Sequence, residues 1–242
     1  MFILIIVRMR QFRQVAPDCE RKKMETVKSK SNKQRLKGVK PAKQVRSIAL
    51  QDKFSQAGRE MLKNTRLADI RIPDLAKKAG SSIGGFYSRF EDKDVFFKFM
   101  QAYMLEDHSK IVDQALAPEH LKAMSDVEVI ENFVTTMIKI FTSPWRGVLR
   151  ESYSRISEGR GIWAPMRNRG RKNTDIIVEK FAEQYSGQSN GTDEESIRFA
   201  IQILYSALNN DLMNPKLKFS IGDKEFEHYL SRMLCKFLEL RP

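Results

Sequence analysis

The feature that most constrains the fold of this chain is the stretch at residues 71–90, which has the sequence RIPDLAKKAGSSIGGFYSRF. Pro73 predicts the first turn of a helix and Gly80 predicts its end, because proline fits a helix N terminus and glycine readily leaves the helical conformation. Ser81 and Ser82 can each cap a second helix. The pattern therefore predicts a helix, a tight turn and another helix. The first helix has an apolar face made of Ile72, Leu75, Ala76 and Ala79.

The second predicted helix has two different faces. Its anchoring face is formed by apolar residues at helical spacing, namely Ile83, Phe86, Tyr87 and Phe90. Its outward face is small and polar and consists of Gly84, Gly85 and Ser88. A helix that lies in the major groove of DNA needs one packed face and one exposed face. An αα-hairpin in an ordinary helical core gives the same pattern, so the stretch alone leaves both interpretations open.

The chain carries a net charge of +13, and this charge is unevenly distributed. Residues 1–102 contain 24 Lys+Arg and 10 Asp+Glu, whereas residues 103–242 contain 19 and 20. The first part therefore has a net charge of +14 and the second part a net charge of −1. A local basic surface suits phosphate binding, which depends on charge neutralisation and counterion release. The alternative is a solvated basic face with a flexible tail.

Residues 1–43 are predicted to form a disordered basic arm, because they are rich in Lys, Arg, Ser and Gln and poor in large apolar residues beyond Glu20. The apolar run at residues 2–7 is far shorter than the roughly 20 residues that span a bilayer. Basic residues follow this run, whereas in a signal peptide they precede it. Met24 is an alternative start of translation. The arm either contacts DNA phosphates or is a solvated tail.

The residues around the 71–90 stretch complete a small helical domain. A helix is predicted from about residue 45 to residue 64, with an apolar face made of Ile48, Phe54, Ala57, Met61 and Leu62. Asp92 predicts the N-cap of a helix that runs through Tyr103. Residues 44–103 are thus predicted to form a three-helix, helix-turn-helix DNA-binding domain with a fourth helix leading out of it.

Residues 104–242 predict a larger helical domain. Ser125 opens a capping box with the glutamate three residues later. The last two helices are amphipathic and cover residues 194–213 and 223–240, after an exposed loop at residues 186–193. Because no stretch shows the alternation of a β-strand, the predicted fold class is all-α.

The arrangement of residues 48–103 resembles the DNA-binding domain of TetR-family transcriptional regulators. The residues that fit the family motif are Ile72, Asp74, Leu75, Ala76, Ala79, Gly80, Gly84, Phe86, Tyr87, Phe90 and Lys93. The remaining chain agrees with the family in length and helical character. The resemblance implies a regulator, usually a repressor, whose C-terminal domain binds a small molecule and pairs two subunits. The two cysteines suit neither a disulfide framework nor a metal site, which predicts a cytoplasmic location.

The resemblance also implies which residues contact DNA. Arg71, Tyr87 and Lys93 would contact phosphates, and Ser82 would cap the recognition helix. The other residues predicted at the interface are Ile83, Gly84, Gly85 and Ser88. Ile83 stands where the family commonly has Lys, and Gly85 where it commonly has Thr or Ser. These departures remove side chains that read bases, so we expect close backbone approach with mainly phosphate or shape readout.

The partners implied by the resemblance are a double-stranded DNA operator, a small-molecule effector and a second copy of the chain. The homodimer is expected to form through the helices near 194–213 and 223–240, whose wide apolar stripes suit a four-helix interface or, alternatively, an intramolecular core. The candidate ligand-binding residues are aromatic or flexible, although such residues are also typical of a core: Phe133, Met137, Phe141, Trp145, Tyr153 and Trp163. A basic run either favours an anionic ligand or is a solvated loop, and it consists of Arg167, Arg169, Arg171 and Lys172.

No enzymatic activity, metal or cofactor is predicted. Glu225 and His228 form a Glu-x-x-His sequence, but the di-iron helical bundles need a second copy of it. His108 and His120 have no nucleophile at a recognisable spacing. The alternative function is a helical small-molecule-binding or interaction protein with weakened or lost specific DNA binding, which the unusual Ile83 and Gly85 leave open. The sequence predicts no transmembrane segment, and Cys19 and Cys235 have unrelated sequence surroundings.

Overall fold

The structure is a computed structural model that describes residues 38, 45–158, 161, 163–185, 193–214 and 217–240. Within these ranges the regular structure is entirely helical, which confirms the predicted all-α fold class. In chain order the helices are α1 (Val45–Leu62), α2 (Ile72–Lys78), α3 (Ile83–Tyr87), α4 (Lys93–Ala115), α5 (Pro118–Lys122), α6 (Asp126–Thr142), α7 (Arg146–Ser154), α8 (Ala164–Tyr185), α9 (Glu194–Met213) and α10 (Lys224–Phe237). Short 3-10 turns lie at Leu67–Asp69 and Ile156–Glu158.

Helices α1 to α4 pack around a cluster of phenylalanine rings. Phe54 belongs to α1, Phe86 to α3 and Phe90 to the turn that follows α3, while Phe96 and Phe99 belong to α4. All five side chains are fully buried, and neighbouring ring centroids lie 5.1–6.0 Å apart, mostly edge to face. Edge-to-face contact is the preferred geometry of aromatic pairs, so this cluster fixes α3 on the bundle. Ile48 is 45% exposed, which corrects its predicted place on the buried face of α1.

Helix α6 lies at the centre of the rest of the molecule. Most of its residues between Val129 and Phe141 are buried, and α4, α7, α9 and α10 all pack against it. The predicted capping box is present, because the Ser125 side chain accepts from the Glu128 backbone N–H while the Glu128 carboxylate accepts from the Ser125 N–H. These hydrogen bonds hold the pKa of Glu128 below its usual value.

Helix α7 connects the N-terminal bundle to the C-terminal helices. Gly147 lies directly against the backbone of α1, where a Cβ atom would be 2.3 Å from the Leu62 carbonyl oxygen. The Arg150 Nη2 atom donates to the carbonyl oxygens of Leu62 and Lys63 at 2.9 and 3.2 Å, which satisfies the end of α1. On the other side, Arg146 pairs with the buried carboxylate of Asp211 in α9 at 3.1 Å. Helix α7 thus contacts both the N-terminal bundle and the C-terminal helices.

Several predicted segments fall inside observed helices or outside the described residues. The basic run that was predicted as a possible loop is helical, because α8 begins at Ala164 and continues without interruption to Tyr185. The predicted boundary at residue 103 stays a prediction, since α4 extends across it to Ala115. The basic arm at 1–43 lies outside the described residues except for residue 38, as do most of the predicted 186–193 loop and Cys19.

Candidate nucleic-acid interface and ligand cavity

The candidate nucleic-acid interface starts with the turn between α2 and α3. Gly80 ends α2 with a φ of +60°, a left-handed conformation that glycine adopts without strain. The Ser81 N–H then donates to the Ala76 carbonyl oxygen at 2.9 Å. Ser82 caps α3 as predicted, because its Oγ accepts from the Gly85 N–H at 3.0 Å. The predicted helix, turn and helix are therefore present in this order.

The outward side of α3 carries larger side chains than the sequence predicts. Ile83 and Tyr87 are 46% and 47% exposed, so the predicted anchoring face reduces to Phe86 and Phe90, which are fully buried. The Tyr87 ring packs edge to face on Phe86 at 5.4 Å and still extends toward solvent. Five residues make barely more than one helical turn, which is too short for a four-residue anchoring face. An isoleucine and a tyrosine thus flank the glycines on the exposed surface.

Glycine has different surroundings at the two adjacent positions. A Cβ atom at Gly84 would be 3.7 Å from its nearest neighbour, the Ser82 Oγ, which is ordinary contact. A Cβ atom at Gly85 would be 2.3 Å from the Ser81 Oγ. Ser88 is exposed, and its hydroxyl donates to the Gly85 carbonyl oxygen at 2.7 Å. A side chain at Gly85 would therefore require the Ser81 hydroxyl to rotate away, whereas a Cβ atom at Gly84 would fit without any change.

The two basic residues predicted to contact phosphates both make contacts within the chain. Arg71 is exposed and bonds through Nε to the Asp74 carboxylate at 2.7 Å, an ion pair that lowers the pKa of Asp74. The Lys93 ammonium donates to the carbonyl oxygens of Ala68 and Ile70 at 2.8 and 3.1 Å. Lys93 thereby ties the start of α4 to the turn before α2. Its DNA contact, like that of Arg71, stays a prediction.

The charge of the described N-terminal part is smaller than that of the whole region. Residues 45–102 contain 11 Lys+Arg and 7 Asp+Glu, a net charge of +4 out of the +14 of residues 1–102. Most of the positive excess therefore belongs to residues 1–44, of which the structure describes only residue 38.

A cavity of about 760 Å³ lies among α4, α6, α7, α8 and α9. This volume falls within the range of roughly 300–1,000 Å³ that is typical of small-molecule sites. Of the six predicted ligand-binding residues, Met137, Phe141, Tyr153 and Trp163 line it. Phe133 and Trp145 do not line it, and their contact with a ligand stays a prediction. The Phe133 ring packs against the Tyr205 ring at 6.4 Å, and the Trp145 indole lies under the Arg59 guanidinium at 5.0 Å.

The cavity also contains polar residues that sequence reasoning did not single out. His108 is buried in its wall with Nε2 3.0 Å from the Ser143 Oγ, and burial lowers the pKa of His108 to about 4. Asn173, Tyr205 and Asn209 also line it. The only signal available in the sequence is that these residues occur beside the apolar stripes of amphipathic helices, which is also where solvated residues occur.

An exposed apolar patch covers the outer side of α9 and α10. We call it the terminal patch, and its members are Phe199, Phe219, Tyr229, Met233 and Phe237. Each is at least 43% exposed, and ring contacts at 5.6 Å join Phe199 to Phe237 and Phe219 to Tyr229. Cys235 lies beside the patch on α10 and is partly buried, which raises the pKa of its thiol. Contiguous exposed apolar surface of this kind is typical of interaction sites.

Across the described residues, no three His, Cys, Asp or Glu side chains come together as metal ligands. Glu225 and His228 are both exposed on α10. Among the same residues, no helix has the length and apolar character that crossing a bilayer requires.

Comparison with known proteins gives a result at the level of structure. No protein-family model matches this chain, and no curated protein matches it in sequence. A TetR transcription regulator from Haloarcula marismortui superposes with a TM-score of 0.60 and 14% identity, covering 79% of this chain and 98% of that one. The transcriptional regulator FadR from Bacillus subtilis, solved in complex with stearoyl-CoA, has a TM-score of 0.53 and 15% identity over 76% of this chain and 96% of its own.

The same architecture also occurs in a protein with a different description. The superantigen PfiT has a TM-score of 0.56 and 14% identity, covering 77% of this chain and 95% of that one. Identities this low carry information about architecture and not about ligand or target. The chain therefore has the fold of the TetR-family transcriptional regulators.

Proposed function

We propose that this chain is a TetR-family, DNA-binding transcriptional regulator. The observation that carries the proposal is the α2–turn–α3 unit, whose exposed side presents Ile83, Gly84 and Tyr87 on a bundle that belongs to a regulator fold. A fixed short helix with one buried and one exposed face can enter a major groove. The basic charge of residues 1–102 supports the same function, because it neutralises phosphates.

The interface would read DNA mainly through phosphates and shape, with one apolar base contact. Tyr87 would donate its hydroxyl to a phosphate, and Gly84 would let the α3 backbone approach the groove. Ile83 adds a contact at a position that helical periodicity assigned to the anchoring face and the family resemblance assigned to the interface. An exposed isoleucine beside a base edge suits the methyl group of thymine.

The regulator would act as a homodimer through the terminal patch. Two copies related by a two-fold axis would bury ten large apolar side chains, five from each subunit, in a four-helix interface of α9 and α10. The two N-terminal bundles would then engage half-sites about 34–36 Å apart.

A small-molecule effector bound in the cavity would control this regulator, most simply a repressor that releases its operator when the ligand binds. Leu149 and Tyr153 of α7 line the cavity, and Gly147 and Arg150 of the same helix contact the end of α1. A ligand that shifts α7 would therefore move the α1 end of the DNA-binding bundle. Ligand and operator affinities must then change reciprocally.

The test of DNA binding is selection of genomic fragments by the purified protein, followed by titration of the enriched site. The informative variant is Tyr87→Phe, which removes one hydroxyl and keeps the ring on Phe86. We expect it to weaken operator binding about tenfold or more, the cost of a charge-assisted hydrogen bond. Lys139→Ala removes an exposed charge on α6 and serves as the control with unchanged affinity.

Lys93→Ala is a less specific probe than Tyr87→Phe, because the Lys93 ammonium also holds two backbone carbonyl groups. Failure to enrich any palindromic or pseudo-palindromic site would refute the regulator function.

The dimer is tested by sedimentation at micromolar concentration. Phe237→Ser places a hydroxyl in the terminal patch and should shift the protein toward monomer. Ile111→Ser makes the same kind of change at an exposed apolar position on α4, outside the patch, and should leave the mass unchanged. A parent protein that is monomeric at this concentration would contradict the proposed dimer.

A second candidate function is a helical interaction or ligand-binding protein that does not bind specific DNA. The same fold in the superantigen PfiT favours keeping it, as does the absence of a polar base-reading side chain at Ile83 and Gly85. This candidate predicts ligand binding and dimerisation without enrichment of any DNA site, so the same experiments separate the two functions.

A further inference from the structure

The cavity wall between α8 and α9 contains buried polar atoms that have no partner. Among the described residues of the lining, Arg169 Nε, Asn173 Oδ1 and Asn209 Oδ1 lack a hydrogen bond, whereas the Tyr205 hydroxyl interacts with the Asn173 side chain. Buried polar groups in proteins are almost always hydrogen-bonded, because an unmade bond costs the desolvation of the group. Three such atoms beside a hydroxyl on one cavity wall therefore indicate a polar ligand group that bonds to them.

These four side chains lie in two pairs on helices α8 and α9, which pack against each other. Arg169 and Asn173 are four residues apart on α8, and Tyr205 and Asn209 are four residues apart on α9, so each pair shares one face of its helix. Gly170 lies between the helices, where a Cβ atom would be 3.7–3.8 Å from the Tyr205 ring and hydroxyl. Asn173 is 97% buried, since its exposed fraction is 3%. The wall is thus a part of the packed helix interface and not a mobile surface.

The charge of the lining selects the sign of that ligand group. The lining contains Arg167, Arg169, Arg171 and Arg198 and no Asp or Glu. Outside the cavity, Arg169 pairs with Asp113 at 2.7 Å, and Arg198 pairs with Asp175 and Glu194. Arg167 and Arg171 make no ion pair with any described residue. His108 is neutral near pH 7, since burial holds its pKa at about 4. A net positive wall favours an anion.

The hydroxyl of Tyr205 is a donor under all ordinary conditions. Burial raises the pKa of Tyr205 to about 12, against the smaller opposing effects of the nearby Asn173 and Arg169 side chains. Arg169 Nε is also a donor, and an asparagine can present its NH₂ group by rotating its amide. Arg169 on α8 and Tyr205 on α9 therefore both bring a donor to this cavity wall.

The opposite wall is apolar. Met104, Leu105 and Val112 line it from α4, and Ile140 and Phe141 line it from α6. Methionine and phenylalanine at a cavity surface accommodate flexible apolar groups of varied shape.

We propose that the effector is an amphipathic anion, with a carboxylate or phosphate monoester head on Arg169 and Tyr205 and an apolar tail against α4 and α6. This inference rests on the proposed function, since it names the ligand class of the same cavity. It also explains the basic run of α8. Three arginines of this run line the cavity, namely Arg167, Arg169 and Arg171, whereas Lys172 of the same helix does not.

The test is calorimetric titration of the full chain without DNA, so that a failure of operator binding cannot affect its outcome. The probes are decanoate, decyl phosphate and decanamide, which share one tail and differ in charge. We expect at least one anion to bind about tenfold or more tightly than the neutral amide, as charge-assisted hydrogen bonds require. The comparison of decanoate with decyl phosphate decides which head the wall prefers. Binding of neither anion, or equal binding of anion and amide, would overturn the proposal.

Variants separate recognition of the head from support of the fold. Tyr205→Phe and Arg169→Gln should each weaken anion binding about tenfold and reduce the preference for anion over amide. Lys172→Gln removes the same charge from an exposed position of α8 outside the lining and should leave both values unchanged. A purely structural effect would weaken anion and amide equally, and that result in both variants would refute the assignment of the head site.

Discussion

Replacing Gly147 by alanine tests whether α7 really lies against the end of α1. The new Cβ atom would be 2.3 Å from the Leu62 carbonyl oxygen, 2.5 Å from its carbonyl carbon and 2.9 Å from the Lys63 nitrogen. All three atoms belong to the backbone, so no side chain can rotate away to relieve the overlap. Because ordinary contact begins near 3.4 Å, α7 must move away from α1 by about 1 Å.

The expected loss of stability combines three effects. Overpacking in a rigid contact costs about 1–3 kcal/mol. Moving α7 also weakens the two hydrogen bonds of Arg150 to Leu62 and Lys63, each worth about 1 kcal/mol. Alanine in place of glycine returns up to about 1 kcal/mol through helix propensity. The net destabilisation should be about 2 kcal/mol, which corresponds to a fall in Tm of roughly 4–8 °C for a chain of this size.

Urea denaturation followed by circular dichroism measures this change, with Gly170→Ala as the matched control. Gly170 also lies within a helix, but a Cβ atom there would come no closer than 3.7 Å to Tyr205. The control should therefore retain or gain up to about 1 kcal/mol of stability. A Gly147→Ala protein as stable as the parent would refute the close packing of α7 on α1.

Three further predictions concern buried polar groups and a helix cap. The pKa of His108 is about 4 in the folded protein and 6.5 in the unfolded chain. As the pH falls from 6.5 through 4, protonation of the unfolded chain should therefore remove about 3 kcal/mol of stability. Urea titration measures this pH dependence, and His108→Leu should abolish the part that His108 causes. Asp211→Asn leaves Arg146 without its charge partner and should lower the unfolding free energy by about 2–3 kcal/mol, although partial exposure of Arg146 limits the loss. Ser125→Ala removes the cap of α6 and should cost about 1 kcal/mol, and an unchanged urea midpoint would contradict the cap.

Local signals in the sequence were sufficient where a helix end depends on its own residues. Gly80 predicts the end of α2 and Ser82 predicts the cap of α3 because both act through the backbone of the same turn. Ser125 is a similar case, and so is Asp92, whose carboxylate accepts from the Val95 N–H at the start of α4. Such contacts span three or four residues, so no tertiary information is needed to predict them.

The start of α8 shows how the same signals can mislead. Proline and glycine at residues 165 and 170 favour a loop at the basic run, yet Pro165 is the second residue of α8, where its missing N–H costs nothing. Gly170 costs α8 up to about 1 kcal/mol relative to alanine, and the packing of α8 on α9 outweighs this cost. These contacts join residues far apart in the sequence.

Which aromatic residues line the cavity also depends on distant partners. Phe133 and Phe141 both lie on the buried side of α6, and periodicity treats them alike. The Tyr205 ring packs against Phe133, whereas Phe141 remains at the cavity surface. Ile83 and Tyr87 differ from prediction for a related reason, since α3 is too short for all four of its apolar residues to reach the phenylalanine cluster.

The two tryptophans of the chain occupy positions that make each an optical reporter of a different event. Trp163 lines the cavity and meets the Tyr153 ring edge to face at 5.2 Å, so its emission should respond to an occupant. Trp145 is buried, bonds through Nε1 to Asp107 and stacks under Arg59 of α1, so it should respond to movement of α1. Replacing either one by phenylalanine leaves a single fluorophore. The chain thus allows cavity occupancy and motion of the N-terminal bundle to be timed separately in unlabelled protein.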